Sequence, residues 1–292
     1  MASQKTATLR LVRERKLEDL LASRHRTKLE ASGVFAKDGE FFAVFDNTRR
    51  AARIGASLLP GDAGHRWMGV ARPGEGYEAI TYNADRRRFY LMIEAEKHKD
   101  GTYKGVIEEY DEAWRYKTRK WVDFPFEKRN TGFEGLAALR WRGSDYLLAL
   151  CEGNQCRPKK KGAKRGKGRV HVLRYTHGMW QPVARIRLPR RAKFKDYSGM
   201  ALRGDRLAIV SQESSRLWVG RLNRGRWRIN GAGRVYDFPR TKKGKKLYCT
   251  VEGVSWLSTT TVVTVSDLRK RQKHPARCDR TDQSIHIFHL PA

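Results

Sequence analysis

The sequence predicts an all-β fold: a five-bladed β-propeller of four-stranded antiparallel blades, its ring closed by the N-terminal strand. Three observations predict it. A short pattern of Ser or Glu, a small residue and an apolar residue recurs five times. Each copy leads into a polar turn and an alternating apolar run. The last copy is one strand short, and the N-terminus supplies a spare one. Four-stranded units repeating every ~50 residues are the mark of a propeller.

The five copies are Ser32-Gly33-Val34, Glu78-Ala79-Ile80, Glu134-Gly135-Leu136, Ser198-Gly199-Met200 and Glu252-Gly253-Val254, spaced 46, 56, 64 and 54 residues apart. The turns behind them are Lys37-Asp38-Gly39, Asn83-Ala84-Asp85, Arg142-Gly143-Ser144, Arg203-Gly204-Asp205 and Ser258-Thr259-Thr260. The runs that follow are Phe41–Phe45, Phe89–Ile93, Tyr146–Leu150, Leu207–Val210 and Val262–Val265, which read as hairpin strands. Third strands are expected at Ala51–Ile54, Gly105–Tyr110, Val170–Tyr175, Leu217–Leu222 and Ile285–Leu290, and fourth strands at Trp67–Ala71, Trp121–Phe126, Val183–Leu188 and Val235–Phe238. The alternating stretch Thr6–Arg13 is the candidate closing strand, which leaves no free sheet edge. Leu17–Leu29 reads as a short helix or loop, and the 292 residues as one domain with residues 1–31 as closing strand and lead-in.

Composition bounds the function. The net charge is +31 with a pI near 10.4, which favours polyanionic partners. Eight Trp, 11 Tyr and 11 Phe argue against disorder. No run of about 18 apolar residues is present, so no membrane span is expected. The absence of a visible signal peptide points to the cytoplasm, with a removed leader as the alternative. Four cysteines are too few for a disulfide scaffold. Cys151 and Cys156 are spaced to form a disulfide, and Cys249 and Cys278 belong to the last unit. A monomer is expected.

Strand direction places the repeated Ser or Glu, and the acid that ends each second strand, at one end of the ring near its axis. Those acids are Asp46, Glu94, Glu152, Glu213 and Asp267. Most basic runs open on the same face: eight Lys/Arg among the thirteen residues 157–169, with others at 190–195, 240–246 and 269–280. An acidic axis inside a basic corona results. Crowded carboxylates repel unless they are protonated or bridged by a cation. Ser32, Glu78, Glu134, Ser198 and Glu252 are all oxygen donors, which suits Ca2+ and argues against zinc.

The order Ser, Glu, Glu, Ser, Glu resembles the calcium-activated nucleotidases of the apyrase family, five-bladed propellers with one axial calcium that hydrolyse nucleoside di- and triphosphates. The segments Glu30-Ala31-Ser32-Gly33-Val34 and Gly39-Glu40-Phe41-Phe42-Ala43-Val44-Phe45-Asp46-Asn47-Thr48 are similar to that family's opening unit. Two departures stand out: Gly33 replaces an Asp, and Phe45-Asp46 keeps one acid where the family has two. Phytase-like and SdiA-regulated-like propellers share the Glu-Gly-apolar repeat less closely. The resemblance implies a calcium-dependent phosphohydrolase acting on nucleotides or related phosphate compounds. Asp46, Glu94, Glu152, Glu213 or Asp267 would then orient water or act as base, and Arg49, Arg50, Lys97, Arg216 and Arg269 would clamp phosphates. For any single acid, pairing with a neighbouring arginine is the competing role. Tyr77, Phe133 and Tyr197 precede the repeated position and are expected to pack between blades. The alternative function is a non-catalytic platform holding nucleic acid, without sequence specificity, or polyphosphate on the basic loops.

Overall fold

A computed structural model of the chain describes residues 6–21, 28–69, 76–129, 132–153, 156 and 169–292. The N-terminal part forms β1 (Ala7–Thr8), β2 (Arg10–Lys16) and a one-turn helix, α1 (Leu17–Leu21). A first up-and-down unit follows: β3 (Ala31–Lys37), β4 (Glu40–Phe45), β5 (Thr48–Gly55) and β6 (Arg66–Met68). The second holds β7 (Ala79–Asn83), β8 (Arg88–Lys97), β9 (Tyr103–Asp111) and β10 (Tyr116–Phe126). The third holds β11 (Phe133–Trp141), β12 (Ser144–Cys151), β13 (Arg169–Thr176) and β14 (Met179–Arg187). Then come β15 (Gly199–Arg203), β16 (Arg206–Ser211), β17 (Arg216–Asn223) and β18 (Arg228–Asp237), and finally β19 (Val251–Trp256), β20 (Thr261–Ser266) and β21 (Ser284–His289).

These strands join into four sheets, where the sequence led us to expect five separate ones. The second and third units form a single eight-stranded sheet. Its halves meet at one parallel pair, Val122 opposite Trp180, where the long outer strands β10 and β14 touch. The N-terminal strand behaves as expected: β2 lies antiparallel to β21 and completes the last sheet, while β1 runs parallel to the outer strand β18 of the preceding one. The innermost strands form a closed circuit, β3 beside β7, β7 beside β11, then β15, β19 and back to β3.

That circuit explains the glycine found in four of the five repeats. A Cβ on Gly199 would lie 2.0 Å from the Glu252 carbonyl oxygen, one on Gly135 2.9 Å from the Met200 nitrogen, and one on Gly253 2.8 Å from the Val34 nitrogen. Neighbouring backbones approach too closely for a side chain. Farther out, apolar faces pack sheet on sheet. Leu148, Leu150, Val172 and Ile186 meet Met200, Ile209 and Trp218 across one seam, and burial of each such side chain contributes about 1.5–3 kcal/mol. Tyr77, Phe133 and Tyr197 are buried in three successive seams.

The expected helix or loop at Leu17–Leu29 and the expected strand Trp67–Ala71 fall partly, and the basic run at 157–168 wholly, outside the described residues. Both cysteine pairs are joined, Cys151 to Cys156 and Cys249 to Cys278. No described helix is long and apolar enough to cross a membrane.

Candidate metal centre

Strand register decides which acids face the axis. Gly33 pairs with Val44, Ala79 with Met92, Gly135 with Leu150, Gly199 with Val210 and Gly253 with Val265. Two residues beyond each partner stand Asp46, Glu94, Glu152, Gln212 and Asp267. In the fourth unit the equivalent position is therefore Gln212, and Glu213 sits one residue farther on, exposed. The Gln212 Nε2 donates to Glu252 Oε1 at 3.0 Å. An amide at this place relieves one like-charge contact.

Carboxylate oxygens of Glu94, Glu134 and Glu152 lie within 4.8 Å of one another. Glu94 also accepts a hydrogen bond from the Gly132 backbone N–H at 2.7 Å. Around this trio the remaining acids form a continuous set. Burial, followed by the Glu94, Asp46, Asp267 and Glu152 charges, raises Glu78 well above the carboxylate range. Glu134 is raised by burial and by Glu78, Glu94, Glu152 and Glu252, and Glu252 by burial and then Asp267, Glu78 and Asp46. Asp46 is pushed up to about 8, by burial first and then by Asp267 and Glu30. Glu94 and Asp267 reach about 7, burial again being the main cause. The Asp46 Oδ1 is buried with no hydrogen-bond partner.

Ser32 and Ser198 use their hydroxyls differently. Each donates to a backbone carbonyl at the start of the next innermost segment, Ser32 to Tyr77 and Ser198 to Val251 at 3.0 Å. They tie neighbouring strands together at the rim, and Ser32 lines the axial opening with Glu78 and Glu134.

The sequence reading left out two acids, Glu30 and Asp196. Glu30 adds to the charge on Asp46. Asp196 accepts from the Ser211 hydroxyl and from the Glu213 backbone N–H at 3.1 Å, and it raises Glu152. Both stand two residues before a repeated Ser, whereas Gly76, Gly132 and Thr250 stand two before the repeated Glu residues. An acid upstream thus accompanies each unit whose repeated residue is neutral, a signal legible in the sequence.

The cations above the acids are unevenly committed. Arg49 pairs with Glu96 and lies 3.7 Å from Glu108. Arg50 covers the Trp67 ring at 4.6 Å, and Arg216 pairs with Asp237 at 2.8 Å. Lys97 ends β8. Arg269 pairs with Asp279 and donates to the His274 carbonyl at 2.6 Å. Of these five, only Arg269 lines the cleft of about 630 Å³ that opens between the last and first units, together with Lys28, Glu30, Lys270 and Arg271. Lys270 links cleft to acids, its Nζ 3.9 Å from Asp267 Oδ2.

No family model and no curated protein matches the sequence. Solved structures do. Glutaminyl cyclase of Myxococcus xanthus superposes with a TM-score of 0.56 at 10% identity, over 99% of this chain and 100% of its own. CoXyl43, a GH43 β-xylosidase/α-arabinofuranosidase from a compost microbial metagenome, solved with xylotriose in a calcium-free form, gives a TM-score of 0.56 at 10% identity over 97% and 96%. Both are propellers. The chain is a β-propeller. At 10% identity the likeness is one of fold, and a scaffold of this kind carries many unrelated activities.

Proposed function

We propose that this propeller is five-bladed, the eight-stranded sheet counting as two blades joined at one rim contact, and that its axis holds a calcium ion serving a phosphohydrolase. The observation that carries the reading is the convergence of Glu94, Glu134 and Glu152 within 4.8 Å, beside an Asp46 oxygen that is buried and unpartnered. An all-oxygen, multiply charged donor set fits a hard cation of loose geometry. Glu94, Glu134 and Glu152 would hold it, with Glu78, Asp46, Asp267 and Glu252 balancing its charge. The ion would supply polarisation of a phosphoryl oxygen.

The chain's own residues supply the rest. Lys270 and Arg271, in the cleft beside Asp267, give the positive field that a phosphate-bearing substrate needs. Of the acids, Asp267 would orient water, because it belongs to the axial set and lies 3.9 Å from the cleft cation Lys270. The phosphate compound is expected to be a nucleotide or a chemical relative. Phosphate release from nucleoside di- and triphosphates, with calcium and with chelator, tests the reading. Calcium-dependent release that disappears in Glu134→Gln supports it. No release from any of these substrates under either condition overturns it.

One observation favours a second reading, a docking platform for a polyanion. Burial and the neighbouring Lys195 and Arg240 hold the Lys246 ammonium below its usual range, and His274 is lowered by burial and by Lys270, Lys273 and Lys246. Cations this crowded favour a polyanion such as nucleic acid, held without sequence preference. Such binding weakens steeply with salt, so a flat salt response in an anisotropy titration with a random-sequence oligonucleotide counts against it.

A further inference from the structure

The axis has a second mouth, at the end of the ring opposite the acids. There Ala36, Tyr82, Ala138, Leu202 and Trp256 occupy equivalent rungs, facing Phe41, Phe89, Leu147, Leu207 and Val262 on the next strand of each unit. An antiparallel ladder turns alternate N–H groups away from the partner strand, and two of these five show where they go. The Ala36 N–H donates to the Ser255 hydroxyl and the Ala138 N–H to the Thr81 hydroxyl, each at 3.0 Å. In both cases the acceptor belongs to the preceding innermost strand of the circuit. At the other three junctions that place is held by Phe35, Ala137 and Ala201, which carry no hydroxyl. The N–H groups of Tyr82, Leu202 and Trp256 therefore turn to the axis without such a partner. Thr81 and Ser255 are each 3% exposed, and among the described residues the hydrogen of neither hydroxyl meets an acceptor.

These five junctions surround a cavity of about 130 Å³, which Thr81, Ser255 and Arg203 line. Its inner end is apolar. Ile80, Met200 and Val254 line it, and they also line the passage of about 10 Å³ that leads toward the acids, room for about one water. No Asp or Glu side chain lines the cavity. Arg203 is exposed at the end of β15. Its Nη1 donates to the Leu257 carbonyl at 3.5 Å, and among the described residues no carboxylate pairs with it. The acid of its own turn, Asp205, is held by Arg221 at 2.8 Å. One end of the axis thus collects carboxylates, while the other gathers donors and a cation with no acid among them. A buried donor left without an acceptor costs about 1–3 kcal/mol, which ligand oxygens would relieve.

We infer that this mouth binds a small organic carboxylate, at a site separate from the axial acids and independent of their cation. Arg203 and the Thr81 and Ser255 hydroxyls take the carboxylate oxygens, and the three N–H groups complete the ring of donors. A guanidinium matches a carboxylate in a pair of charge-assisted bonds. The apolar body of the ligand faces Ile80, Met200 and Val254. A cavity of about 150 Å³ holds benzene, so that body is no larger than about one six-membered ring.

Amide NMR of the full chain, in chelator, tests this with benzoate as the probe and benzamide as its uncharged counterpart. Benzoate is expected to shift the Tyr82, Leu202 and Trp256 amide signals, and benzamide to bind about tenfold more weakly. Arg203→Ala weakens the benzoate response about tenfold. Arg142→Ala, which removes the same charge from another exposed turn at this end, leaves it within about twofold. Unmoved amide signals mean a cavity that holds only water, and they overturn the assignment. Equal binding of benzamide, or equal weakening in the two variants, overturns it as well.

Discussion

At the scale of single residues, the central fact is that the axial carboxyls share a space too small for their charges. Without a cation they hold protons at neutral pH: Asp46 to about 8, Glu94 and Asp267 to about 7. The unfolded chain would release those protons near 4. Between about pH 4 and 8 the folded, metal-free protein therefore binds more protons than the unfolded one, and its stability falls as pH rises. We expect its melting temperature to drop from pH 5 to pH 8 in chelator. Calcium should reverse the drop, because a ligand of the native state stabilises it by about 2.7 kcal/mol at a hundredfold excess over Kd. A melting temperature that rises over this range in chelator would contradict the electrostatic picture. Glu134→Gln separates the two effects. Replacing one of the crowded carboxyls by an amide, which pays no penalty for being kept from ionising in the folded state, should raise metal-free stability at pH 8 by on the order of 1–3 kcal/mol. The same substitution should abolish the calcium response, read by thermal scanning with and without the ion.

At the scale of elements, much was legible because the repeat writes itself in pairs: a small residue where strands crowd, and an acid or Ser beside it. The five strand starts, their turns and the closing strand can all be read from Ser32, Glu78, Glu134, Ser198 and Glu252 outward. What failed to show was register. Gln212 rather than Glu213 occupies the place of Asp46 because one residue decides which side of a strand a side chain takes, and no pattern of residue types fixes that. The contribution of Glu30 and Asp196 was written in the sequence, two positions ahead of each repeated Ser, yet only the crowded axis shows why an acid belongs there. The contact between β10 and β14 was not legible, since a single bridge between outer strands leaves no periodicity. The glycines give a direct test of the strand circuit. Gly199→Ala places a methyl group against the Glu252 carbonyl, at 2.0 Å before relaxation. It should cost about 1–3 kcal/mol by denaturant unfolding. Gly39→Ala, at a turn with open space around it but a φ of 76°, costs through backbone strain alone, about 1 kcal/mol. Only Gly199→Ala should also weaken calcium binding, because only it pushes two axial strands apart. Equal calcium affinity in both variants would show that the strand circuit does not position the acids.

At the scale of the whole molecule, the axial site exists only if the ring is closed, and closure depends on residues far from the axis. The N-terminal segment bridges two units: β1 adds to β18, and β2 to β21. Leu9 is buried, and Glu14 accepts from the Tyr248 hydroxyl at 3.0 Å while its carboxylate lies 3.4 Å from His286 Nδ1. Removing residues 1–16 strips these contacts and uncovers the β21 edge, an invitation to intermolecular pairing. The innermost strands β19 and β3 then lose the closure that keeps them side by side, and Glu252 and Asp267 drift from Glu78 and Asp46. The truncated chain should melt at a temperature lower by 10 °C or more, roughly what loss of buried Leu9 together with the β1 and β2 ladders implies for a domain of this size. It should self-associate in size-exclusion chromatography and lose its calcium-induced stabilisation. A synthetic peptide spanning residues 6–16, added in excess, should restore both the elution volume of the full chain and the calcium response by completing the last sheet in trans. A truncated chain that associates no more than the full chain and keeps its full calcium response would mean that the axial acids are held by their own blades, without help from ring closure.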